Sequence, residues 1–105
     1  MKNLHEAFES FIVFDERAKT AYSKDIFERA ERALLRHGIR SVEDLEGISL
    51  RSLQEPVNGY RGLGPKGTAI TYVLAKHYKV TLVDIPDDEH FKHCVSRLDK
   101  VAYFK

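Results

Sequence analysis

The side chains best suited to chemistry lie in one stretch, Arg61-Gly62-Leu63-Gly64-Pro65-Lys66-Gly67-Thr68. Two glycines one residue apart, then a proline and a lysine, are the ingredients of a phosphate cradle. Glycine has no side chain and can take φ > 0, so the N–H groups of Gly62 and Gly64 can approach an oxyanion closely. Pro65 suits the first turn of a helix. A helix starting there aims unpaired N–H donors and the positive end of its dipole at the same point. Lys66 and Arg61 add cations. Leu63 is expected to point back and lock the loop onto the segment before it. Such a cradle grips backbone rather than bases and positions a nucleic acid without reading it. The bland alternative is a glycine stop followed by an ordinary helix that begins with proline.

Asp88 is the second candidate. It follows Pro86-Asp87 at the start of a helical pattern, where a carboxylate caps free N–H groups. The same carboxylate at the mouth of a site stabilises positive charge on a sugar or activates water. Lys66, if desolvated, is a candidate nucleophile toward a sugar carbon. His90, His93 and Cys94 sit at i, i+3 and i+4, a spacing that can ligate a metal. Cys94 shares its stripe with Phe91 and Val95, however, so a small buried hydrophobe is the favoured reading and no metal is assigned. Arg29, Arg32, Arg36 and Arg40 recur every three to four residues. Glu28 stands at i−4 from Arg32, so this row reads as a solvated face, with a second stripe of phosphate contacts as the alternative. Tyr60 either packs beneath the turn or stacks on a sugar or base.

The positioning elements read as helices. Leu4, Ala7, Phe8, Phe11 and Ile12 keep one helical face, over about 3–17. Phe14 lies off that stripe. Ser23 opens a helix over 24–37 with Ile26, Phe27 and Leu34 inward, and Gly38 stops it. Ser41 to Asp44 resembles a capping box and opens a short helix over 42–47 containing Leu45. A further short helix over 50–55 carries Leu53 and ends at Pro56 and Asn58-Gly59. Helices over 65–78, with Val73 and Leu74 inward, and over 87–99, with Phe91, Val95 and Leu98 inward, complete the set. Val80 to Val83 has no evident strand partner and reads as a buried connector. The expected fold is therefore all-α, a compact bundle of five or six helices in one domain over 1–105.

Short helix, glycine turn and amphipathic helix together resemble a helix-hairpin-helix motif. Gly62 to Ala75, followed by Val83 to Leu98 with its Pro86-Asp87-Asp88 run, is similar to the helix-hairpin-helix DNA glycosylase superfamily, which includes endonuclease III and the 3-methyladenine glycosylases. The resemblance covers roughly residues 23–98. It implies a DNA-binding helical domain tied to repair. It places Asp88 on the catalytic aspartate and Lys66 on the Schiff-base lysine of bifunctional members. That family builds its base pocket largely from helices upstream of the hairpin, whereas only 22 residues precede Ser23 here. The first expectation is accordingly a DNA-binding module, gripping phosphates through Arg61, Gly62, Leu63, Gly64, Lys66, Gly67 and Thr68. The alternatives are a minimal glycosylase or abasic-site lyase using Asp88 and Lys66, and a protein–protein adaptor.

Composition bounds these readings. The chain has 105 residues, 43 % hydrophobic, and a net charge of +1. That excludes coating of nucleic acid by bulk charge and leaves room for a local patch. Val57 to Val83 holds Arg61, Lys66, Lys76 and Lys79 and no acid. One cysteine excludes an internal disulfide and a four-cysteine cluster. No cofactor is implied. No apolar run approaches the ~20 residues of a membrane span, and the N-terminal residues lack a signal-peptide pattern. The expected location is cytoplasmic. The expected partner is the DNA backbone, with a homodimer through Phe14 and Phe104 left open.

Overall fold

The computed structural model describes residues 3–13, 17 and 22–104. In chain order it runs α1 (Leu4–Glu9), β1 (Phe11–Val13), α2 (Lys24–Arg36), 3-10 turns at Val42–Leu45 and Ser52–Gln54, α3 (Pro65–His77), α4 (Glu89–Val101) and β2 (Ala102–Phe104).

The expectation of an all-α bundle of five or six helices is wrong. The described residues form four α-helices and a two-stranded antiparallel sheet, with Phe11 opposite Phe104, Ile12 opposite Tyr103 and Val13 opposite Ala102. The cause is local. Ser10 turns its hydroxyl back to the Ala7 carbonyl at 2.8 Å, an alternative to helix propagation. The β-branched Ile12 and Val13 follow, and Phe11 and Val13 are buried on either side of half-buried Ile12, the alternation of a strand. Phe11 satisfied a helical spacing because it reaches the core either way. Residues 14–16 of the helix expected over 3–17, Phe14 among them, lie outside the described residues.

Two further expectations change. The short helices over 42–47 and 50–55 are single 3-10 turns. Asp44 closes the first by accepting from the Arg40 and Ser41 N–H groups at 2.9 and 3.1 Å. Val80 to Val83 is no lone buried connector. The Val83 N–H donates to the Ile48 carbonyl, and its own carbonyl accepts from Leu50, both at 2.9 Å. A parallel partner more than thirty residues back is invisible to local pattern, and Val83 is exposed.

Helix α3 is the centre of the molecule. Gly67, Thr68, Ala69, Ile70, Thr71, Val73, Leu74 and Ala75 are all buried, which no single amphipathic face describes. Helices α2 and α4 pack against it. Phe8, Phe11, Leu34, Leu45, Leu53, Leu63, Val73, Leu74, Phe91 and Leu98 are buried as expected, while Ile26, Phe27 and Val95 are half-buried against them. Phe104 is committed within the fold, where it stacks on His77 with centroids 3.8 Å apart and meets Phe11 edge-on at 4.7 Å. Much of the ring is thus used inside the fold, and Phe14, the other residue of the homodimer left open above, lies outside the described residues.

Candidate nucleic-acid interface

The glycine loop enters α3 as expected, but its glycines work differently. Gly64 is the N-cap of α3 at φ −81°, ψ −178°, and Pro65 opens the first turn. Neither Gly62 nor Gly64 has positive φ; the left-handed glycines are Gly38, Gly47 and Gly59. Gly62 is glycine because of crowding. A Cβ there would lie 2.5 Å from the Gln54 carbonyl carbon and the Glu55 oxygen. Gly67 faces inward, where a Cβ would meet Leu63 at 3.2 Å and Ala30 at 3.5 Å. Gly64 is the contrast. Nothing lies within 4 Å of its would-be Cβ, and its backbone suits any residue. Neither crowding nor φ requires glycine there, and the open space admits close approach by an external group.

The loop is latched to the segment before it. The Leu63 N–H donates to the Leu53 carbonyl at 2.9 Å, and Leu63 is buried, the locking role expected of it. The Thr68 hydroxyl donates to the Gly64 carbonyl at 2.8 Å and accepts from Gln54 Nε2 at 3.1 Å. Thr68 is fully buried and Gly67 faces Leu63. Both help to fix the loop. The preceding arm is one 3-10 turn followed by a two-residue hairpin. Asn58 and Gly59 both take positive φ, at 51° and 83°, as a type I′ turn requires. Val57 and Tyr60 exchange both N–H···O bonds at 2.9 Å.

Along this loop runs a groove of about 440 Å³ between α2 and the start of α3. Arg29, Arg32 and Arg36 line one wall. Arg61, Gly62, Leu63, Gly64, Pro65, Lys66 and Gly67 line the other, with His90 nearby. Among the described residues no carboxylate lines it. Lys66 and Gly67 lie in the first turn of α3, so their N–H groups have no intrahelical acceptor. Arg29 is held by Asp25 at 2.9 Å, with both side chains well exposed. Arg36 lies over the Tyr60 ring at 4.4 Å, and Lys66 over the Tyr22 ring at 5.8 Å.

The arginine row is where sequence reasoning fell short. Glu28 does not pair with Arg32; it reaches Lys24 at 4.0 Å. Glu31 binds His5 at 3.1 Å. Helix α2 thus sorts its charges, with Glu28 and Glu31 on the flank beside α1 and three arginines on the flank beside the loop. The signal in the sequence was the i, i+3, i+7 spacing of Arg29, Arg32 and Arg36, which keeps them together while Glu28 and Glu31 turn away and Asp25 alone stays beside Arg29.

Asp88 is the N-cap of α4, and its Oδ1 accepts from the Phe91 N–H at 2.8 Å. It does not line the groove that holds Lys66. Cys94 is buried, 3.9 Å from His90 Nε2, and His93 is exposed. Burial, with a hydrogen bond from the Cys94 neighbourhood, pushes the Tyr22 hydroxyl above its ordinary range. Among the described residues no three His, Cys, Asp or Glu side chains converge as a metal site would need. No helix there is long and apolar enough to cross a membrane. No protein-family model, curated protein or solved structure matches the chain.

Proposed function

We propose that this chain binds the phosphate backbone of DNA, independently of sequence, in the groove between α2 and the glycine loop. One observation carries the reading: three arginines of α2, Arg61, Lys66 and the open first turn of α3 share one groove, and no carboxylate among the described residues lines it. Guanidinium groups and helix N-termini both favour phosphate oxygens. Bare Gly64 at the groove's edge allows a phosphate to reach the backbone. The enzymatic alternative is supported less well. The Asp88 carboxylate already serves α4, and it does not line the groove with Lys66.

The test is binding to duplex DNA across a salt series. Affinity should fall linearly on log–log axes, and Arg32→Ala should reduce the slope by ~0.9 while weakening all sequences alike. Lack of salt-dependent affinity for any DNA would overturn the reading and leave the adaptor. Trapping on an abasic duplex with borohydride, lost in Lys66→Ala, would instead establish the lyase.

A further inference from the structure

Tyr60 is the most exposed large apolar side chain among the described residues, at 59 %. It is held rather than loose. The Asn58-Gly59 turn is locked by the paired bonds of Val57 and Tyr60, which fixes where the Tyr60 backbone sits. Arg36 lies against its ring at 4.4 Å. Arg36 lines the cationic groove, as does Arg61, the residue that follows Tyr60, so the ring stands beside the groove against one of its cations.

We propose that Tyr60 is a stacking platform for an unpaired base, so that the groove takes single-stranded DNA in preference to duplex. This rests on the phosphate-groove reading above. A strand whose phosphates follow Arg29, Arg32, Arg36 and the start of α3 brings its bases past Tyr60. In a duplex the bases are paired and stacked within, and the ring meets only the backbone. In a single strand each base has a free π face, and a positioned aromatic ring holds it whatever its sequence. Arg36 beneath the ring keeps it flat to the incoming base and adds a cation to the stack.

The experiment measures binding of a short oligothymidylate and of a blunt duplex of equal length at several salt concentrations, for wild type and for Tyr60→Ala, Tyr60→Leu, Tyr60→Phe and Arg32→Ala. Tyr60 is exposed, so melting temperatures should match, and any variant that melts early is set aside in favour of Tyr60→Leu, which keeps apolar cover over Arg36. Wild type should favour the single strand. Tyr60→Ala and Tyr60→Leu should weaken the single-strand complex about tenfold, in the range seen for single base–aromatic stacks. The duplex complex should hardly change, and Tyr60→Phe should bind as wild type. Arg32→Ala should weaken both complexes. Equal binding of the two substrates, or equal loss on both in the Tyr60 variants, would overturn the stacking role while leaving the phosphate groove intact. Absence of salt-dependent binding to both would overturn the two together.

Discussion

At the scale of single residues, neighbouring glycines divide structural from functional need. Gly62→Ala should destabilise by roughly 1–3 kcal/mol or more, because its Cβ would collide with backbone at Gln54 and Glu55 that cannot swing aside. Gly64→Asp should do the reverse. The position has N-cap geometry and empty space around it. An aspartate there caps α3 and complements its dipole, so stability should rise by about 0.5 kcal/mol. The same carboxylate stands in the groove, and DNA affinity should collapse. Denaturant melts and binding isotherms on the two variants check both. His5 offers a pH test. Its Nδ1 faces Glu31 at 3.1 Å and its Nε2 faces Glu9 at 2.9 Å. Glu31 first, and Glu9 after it, raise its pKa above 6.5. The folded value exceeds the unfolded one, so the contribution is full below about pH 6.5 and is lost as pH rises through the folded value. An NMR titration should show this elevation, and Glu31→Gln should remove most of it.

At the scale of elements, caps separate what was legible from what was not. Asp88 was read as a cap and is one, because a carboxylate after proline and before an apolar stripe has few other local roles. Asp88→Ala should cost about 1 kcal/mol, and Asp88→Asn much less, measured by thermal unfolding. Helices α2 and α4 were legible because periodic burial over thirteen residues leaves a strong pattern, and α3 was legible from its Pro65 start although it is buried on nearly every side. The two 3-10 turns were read as helices because each carries an apolar leucine, Leu45 or Leu53, and the first opens on Ser41. Single turns carry the same start signals as α-helices and lack only length. The groove's loop wall was legible from Gly62 to Lys66. Its arginine wall was not, because an i, i+4 Glu28–Arg32 pair is the default; Glu28 instead takes Lys24 one turn earlier in the same helix, and Glu31 takes His5, a pairing set by how α1 docks.

At the scale of the whole molecule, the sheet is the feature that local pattern missed, since its strands are three residues each and lie about ninety residues apart. Pairing them closes a long loop, whose entropic cost grows only slowly with length. Aromatic contacts offset it. Phe104→Ala should destabilise by roughly 1–3 kcal/mol, below the full core value because the ring is half-buried. The loss should appear in equilibrium unfolding, with exchange protection falling first at Phe11 to Val13.

The sorting of charge across α2 has a kinetic consequence. With a net charge of +1, the molecule as a whole has almost no pull on a polyanion. Its acidic flank and its arginine flank nonetheless form a sideways dipole, which exerts a torque in the field of a nucleic acid. The protein should therefore turn to present the groove before touching, within roughly one Debye length, ~8 Å at physiological ionic strength. Reversing the acidic flank with Glu28→Lys and Glu31→Lys would raise the net charge to +5 yet weaken that torque. Capture should then become faster but less oriented, with a larger share of encounters ending in dissociation.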